Sequence, residues 1–300
     1  MTNSDFVSLT AGTSRLTLWP ETGGAIVDWQ HDGISLFRNI PDEALAAHSA
    51  RRLGCFPLIP YSNRIARASL TFGEETYALR PDLNGEPHSI HGNGWYTPWI
   101  VTERTDKRLV LTLDHQARGD GVADWPFSYV ATQTFSLGES GLDIALRIEN
   151  RDGKAMPAGF GLHPYFRRTP KAQMMFQAAS VWLNGADKLP RGQQPVPSAW
   201  SFATLRSPAE AELDHCFAGW NGTARIVWPE DALGLTIEAS AEFSHLVVYT
   251  PAERDFFCVE PVSHMNDAMN RMDVDGHGVA VLAPGQALEG GVRFRLDRLA

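Results

Sequence analysis

Several short segments carry side chains able to move protons or hold polar ligands inside otherwise apolar sequence. His163 lies within GFGLHPYF, Gly159 to Phe166, directly before Pro164. An imidazole titrates near pH ~6.5 and so suits proton transfer. Glu260 closes the apolar run FFCVE before Pro261. A carboxylate there is costly unless partnered or used, and burial would raise its pKa toward a range useful to a base. Asn63 and Arg64 end the apolar stretch GCFPLIPYSNRI, as a donor pair for a ligand's oxygens or as a plain surface loop. His88 and His91 precede Trp95, Tyr96 and Trp99 in PHSIHGNGWYTPW. A spacing of three suits metal ligands on a helix, but the glycines oppose a helix and no third ligand is near, so no metal is expected. Aromatic faces beside hydrogen-bonding groups suit a sugar, whose CH faces stack while its hydroxyls take polar partners. Asp214 and His215 interrupt AELDHCFAGW. Each of these residues also has a plainer reading, as a satisfied core histidine, a turn aspartate or a packed ring.

Composition narrows the chemistry. The chain has 300 residues, 43% hydrophobic and 20% charged, with a formal net charge of -9. That balance argues against nucleic acid or an anionic membrane and favours a neutral small molecule. Three cysteines, Cys55, Cys216 and Cys258, are too few and too scattered for a disulfide framework and point to a reducing compartment. No signal-peptide pattern and no long apolar run is seen, so a cytoplasmic location is expected. A nucleophile elbow, a phosphate-binding P-loop, a dinucleotide-binding glycine pattern and a Cys-x-x-Cys pair are all absent.

The elements that must position these groups are mostly strands. SRLTLWP alternates from Ser14, and GAIVDWQHDGISLFRN reads as a hairpin around His31-Asp32-Gly33. SLTFGEETYALRP turns near Gly73, and WIVTERTDKRLVLTLDHQ turns at Thr105-Asp106-Lys107. Residues 127–166 hold three strands, and five more are expected at 223–228, 234–239, 245–250, 256–262 and 291–296. A helix is predicted over Pro41 to Gly54 and a short helical turn within Met265 to Gly276. Lys188 to Ser201 reads as a long, proline-rich surface loop. No βαβ alternation and no linker appears, so the chain is read as one all-β domain, residues 1–300: a large antiparallel β-sandwich with one or two short helices.

Taken in order, PYSNRI, SIHGNGW, GFGLHPYF, ELDHCF, VVYTPAERDFFCVEP and AVLAPGQALEGGVRFRL resemble the aldose 1-epimerase (galactose mutarotase) family over roughly residues 54 to 296. The resemblance implies a β-sandwich with its site on a concave face. It implies Glu260 as catalytic base, His163 as acid, and His91, Arg64 and Asp214 as sugar-binding positions with Asn63 beside them. It implies no metal or organic cofactor. The reaction would interconvert the α and β anomers of a free hexose or pentose: Glu260 takes the O1 proton, an imidazolium at His163 protonates O5, and the ring recloses on its other face. Charge from Glu260 or Asp214 is expected to keep His163 partly protonated near neutrality. Arg167 and Arg168, where family members often carry an uncharged residue, and the text after Glu260-Pro261 depart from the family pattern and bear on which sugar is used. The alternatives are a sugar-phosphate mutarotase using Arg167 and Arg168, a glycosidase using Asp214 and Glu260 as paired carboxylates, and a non-catalytic sugar-binding protein. A monomer or homodimer is expected.

Overall fold

The computed structural model describes residues 6–82 and 85–299. Two antiparallel sheets dominate it. The larger runs, edge to edge, through Val7–Ala11, Ser14–Trp19, Ala25–His31, Cys55–Leu58, Gly161–Arg167, Phe256–Val262, His245–Tyr249, Asp214–Ala218, Ser180–Asn184 and Pro190–Pro195. The smaller runs through Ile100–Arg104, Arg108–His115, Tyr129–Gly138, Gly141–Asn150, Ala287–Arg298, Leu233–Ala239, Thr223–Trp228 and Gln173–Phe176.

Burial along the strands shows how the layers stack. Tyr129–Gly138 alternates between buried and half-exposed residues, as a strand does when one face meets a core and the other meets water. Its inward residues join those of the larger sheet, and Trp29 meets Phe294 edge-on at 6.2 Å across the layers. Phe256–Val262 is buried at every position. Its odd-numbered Phe257 and Val259 enter that core, while Phe256, Cys258 and Val262 join Val247, Cys216 and Tyr165 in a second apolar cluster on the opposite face. The loops therefore cover the centre of the larger sheet from outside, and this second covered face carries the site.

The expected hairpins form, with Asp32 and Gly33 both at positive φ (50° and 78°) in the tight turn before Ile34–Ser35. Three expectations need correction. Residues 41–54 do not form one helix: Asp42–Ala46 is helical, His48 turns left-handed (φ 46°), and a separate short turn follows at Ala50–Arg52. Residues 127–166 hold four strands, because Met156–Ala158 leaves to pair with Ala280–Leu282 before Gly161–Arg167 begins. The proline-rich segment is not all loop, since Pro190–Pro195 forms the sheet's edge strand against Ser180–Asn184. Proline is tolerated there because an edge strand bonds on one side only.

Candidate active site

Strand register brings the catalytic candidates together. Gly161 lies opposite Val262 and Tyr165 opposite Cys258, so the same antiparallel count sets His163 against Glu260. Both point to the outer face, and His163 Nε2 lies 3.4 Å from Glu260 Oε1. Glu260 is in turn opposite Val247, and Val247 opposite Cys216, which leaves Asp214 two residues further along its strand. A cleft of about 850 Å³ opens over this face. Asn63, Arg64, His91, His163, Asp214 and Glu260 all line it.

Phe56, its partner on the neighbouring strand, and Tyr165 pack against the imidazole of His163, with ring centroids 4.7 and 4.5 Å from it and 6.1 Å from each other. Burial outweighs attraction here. Desolvation, with the charges of Arg38 and Arg51 behind it, pushes His163 down to about 3. Desolvation, then the charge of Asp214, raises Glu260 well above the usual carboxylate range, with Arg64 opposing. The partly protonated His163 expected from the sequence is therefore not favoured: in a dry site two neutral groups are cheaper than two ions. Burial thus favours a neutral imidazole beside a protonated carboxyl at this 3.4 Å approach.

Asn63 and His91 are built as a unit. Both adopt left-handed backbone (φ 55° and 64°). The Asn63 N–H donates to His91 Nδ1 at 3.0 Å, and the His91 N–H donates to the Asn63 carbonyl at 2.9 Å. Gly92 follows at φ 68°, where a Cβ would stand 2.1 Å from the Ile59 carbonyl oxygen, so only glycine lets the chain pass. Desolvation, then the neighbouring charges of His163, Arg51 and Arg64, keeps His91 neutral. Because Nδ1 accepts, the proton sits on Nε2, a donor available to a ligand. The Arg64 guanidinium is aimed by a two-pronged pair with Glu86, at 2.8 and 3.0 Å, while the Arg64 backbone N–H donates to Asn63 Oδ1 at 3.0 Å.

Asp214 is half-buried and pairs with Lys188 Nζ at 3.0 Å. Asn184 donates to the Asp214 carbonyl at 2.6 Å, and its own N–H donates to His215 Nδ1, whose ring stacks on Trp200 at 4.7 Å. Lys188, Asn184, Tyr165, Tyr249, Glu212 and Arg51 also line the cleft and were not singled out from the sequence. Lys188 sat in a segment read as surface loop, and only its place before the edge strand betrays it. Arg51 pairs with Asp82 at 2.9 Å and lies over Trp95. His88 is not among the lining residues; its Nδ1 accepts the Arg67 N–H at 2.9 Å.

Arg167 and Arg168 are not on this rim. Arg167 pairs with Asp231 at 2.6 Å and lies over Trp228, while Arg168 donates to the carbonyls of Pro251, Ala252 and Arg254 and so braces the loop that carries Pro251. Among the described residues, one group offers donors to a metal ion: His163, Cys258 and Glu260, whose ligand atoms lie within 4.8 Å of one another. Among the same residues, no helix is long and apolar enough to cross a membrane.

A histidine and a glutamate on adjacent strands thus face a polar cleft on one sheet of a large antiparallel sandwich. The sequence model of aldose 1-epimerases matches residues 5–295, and the chain belongs to that family. It is 29% identical over 97% of its length to the uncharacterized protein YphB of Escherichia coli K12, covering 99% of that protein. The crystal structure of a candidate aldose 1-epimerase from the same strain superposes with a TM-score of 0.87 at 26% identity, over 98% of this chain and 99% of that one. A galactose mutarotase-like protein of Clostridium acetobutylicum shares the fold, with a TM-score of 0.84 at 18% identity over 98% and 95% of the two chains.

Proposed function

We propose that this protein is a mutarotase that interconverts the anomers of a free, uncharged aldose. The observation that carries the reading is the 3.4 Å approach of His163 and Glu260 across adjacent strands at the floor of the cleft. Ring opening removes a proton from O1 and adds one to the ring oxygen, so it needs one proton acceptor and one donor on neighbouring atoms of the sugar. A pair that holds one proton in total meets that need. With Glu260 ionised and His163 protonated, Glu260 takes the O1 proton as His163 protonates O5. The pair then reaches the neutral arrangement that burial favours, with the open-chain aldehyde bound. Rotation about C1–C2 and reversal of both transfers gives the other anomer. Sugar hydroxyls donating to Glu260 would stabilise its ionised form on binding, which is what returns the proton to His163. Each positioned group is worth ~10²–10⁴-fold in rate. The Nε2–H of His91 and the guanidinium of Arg64 hold hydroxyls and developing charge, and Asp214 accepts from hydroxyls at the far end.

An uncharged sugar fits the cleft's electrostatics. Arg51, Arg64 and Lys188 each already face a carboxylate, Asp82, Glu86 and Asp214. No cation among these three is left over for a phosphate, and Arg167 and Arg168 are engaged away from the cleft. A glycosidase would instead use Asp214 and Glu260 as its two carboxylates, and no release of a reducing end from a glycoside is expected. The test is anomer exchange by NMR over galactose, glucose, xylose, arabinose and glucose 6-phosphate. Catalysed exchange of at least one neutral sugar, with glucose 6-phosphate no faster than buffer, is expected. Saturable binding without exchange would make the protein a binder instead.

A further inference from the structure

The mechanism uses His163 and Glu260 but leaves Cys258 without a task. Cys258 stands two residues before Glu260 on the same strand and face, opposite Tyr165, and is fully buried. Its sulfur, a ring nitrogen of His163 and a Glu260 oxygen lie within 4.8 Å of one another. We propose that these three residues form a binding site for a thiophilic divalent cation of the zinc class, and that such an ion inhibits the enzyme by occupying both halves of the proton-transfer couple.

The donor set suits zinc. Imidazole, thiolate and carboxylate are its usual protein ligands, whereas magnesium and calcium prefer oxygen alone. Tetrahedral zinc with bonds of ~2.0–2.3 Å sets its donors roughly 3.3–3.8 Å apart. The His163–Glu260 edge, at 3.4 Å, already has that length. The thiol must close in by up to ~1 Å, which a side-chain rotation supplies. Glu260 is 2% exposed, and His163 is the polar side chain its carboxylate approaches. Zinc with one thiolate and one carboxylate is net neutral, so the ion removes the penalty of burying both anions. The fourth coordination position opens to the cleft, where a water or a sugar hydroxyl would complete the tetrahedron.

Three donors, one of which must move, define a reversible inhibitory site rather than a folding element. Ion binding stands on the donor geometry alone; inhibition rests on the mutarotase reading. The test uses the full chain, stripped with a chelator. Cobalt(II) reports through the thiolate-to-cobalt absorption band in the near ultraviolet, and zinc through calorimetry. The wild type should bind one ion per chain, show the band, lose anomer exchange as zinc is added, regain it with chelator, and ignore magnesium. Cys258→Ala should lose the band and weaken zinc binding at least ~10-fold while keeping its own exchange rate. Cys258→Ser serves as a second variant should the cavity left by alanine impair folding. Absence of the cobalt band in the wild type, or zinc affinity unchanged in both variants, would overturn the site. Ion binding with the band present but exchange undiminished would uphold the site and instead remove His163 and Glu260 from catalysis.

Discussion

His163 illustrates how one side chain's setting changes its chemistry. Phe56 and Tyr165 pack against it and the sheet buries it, so the imidazole is held neutral; in the proposed reaction a bound sugar would rearrange the charges around Glu260. Its neighbour Asn63 is positioned by backbone as much as by chemistry. Asn63 combines left-handed φ with a side-chain oxygen that accepts the Arg64 N–H. Alanine would lose both the tolerated conformation and the acceptor, a loss of ~1–3 kcal/mol. Glycine would lose the acceptor alone and should fall between alanine and the wild type in urea unfolding. Equal losses for the two variants would mean that the backbone conformation is not what asparagine supplies.

At the scale of elements, the site is tied together across distant segments by buried neutral histidines. His264, just beyond the Glu260 strand, accepts the Ser62 N–H at 3.0 Å and donates from Nδ1 to the Met265 carbonyl. It thereby fastens the Asn63–Arg64 turn to the segment that follows the Glu260 strand. Desolvation pushes both His264 and His245 down to about 4. Since an unfolded histidine titrates near ~6.5, the unfolded chain binds these protons more readily. Stability from this source is whole above pH ~6.5 and is lost as pH falls toward 4, on the order of 3 kcal/mol for each group. A His264→Gln variant should be less stable at pH 7 yet show a flatter decline in urea midpoint between pH 7 and 4.5. A decline as steep as that of the wild type would assign the acid sensitivity elsewhere.

The same scale shows what could be read in advance. Strands with alternating burial, such as Tyr129–Gly138, were legible from period alone, and so were the Asp-Gly and Gly73 turns. The site strands announced themselves differently, as unbroken apolar runs holding one ionisable residue, because loops cover their outer face. What stayed hidden depends on contacts between segments far apart in sequence. The pairing of Lys188 with Asp214, the partners of Arg51 and Arg64, and the break at His48 carry no local pattern. The direction of the His163 shift was misjudged because charge attraction is visible in a sequence and desolvation is not.

For the whole molecule, the larger sheet does two jobs. One face closes the sandwich core, and the other assembles the six candidate residues around one cleft. Cations along the cleft are matched by carboxylates, in a chain whose net charge is -9, so a neutral polyol meets hydrogen-bonding groups without a strong surplus field. The family assignment and the two-sheet fold support a mutarotase-like function, and the approach of His163 and Glu260 supports the anomer interconversion proposed above. The most direct check is the exchange rate between α and β sugar by NMR, measured for the wild type, His163→Asn and Glu260→Gln under identical conditions, with melting curves taken alongside. The account predicts that both variants melt close to the wild type and lose at least ~10²-fold of the catalysed rate. Variants that fold normally and exchange anomers at the wild-type rate would contradict it.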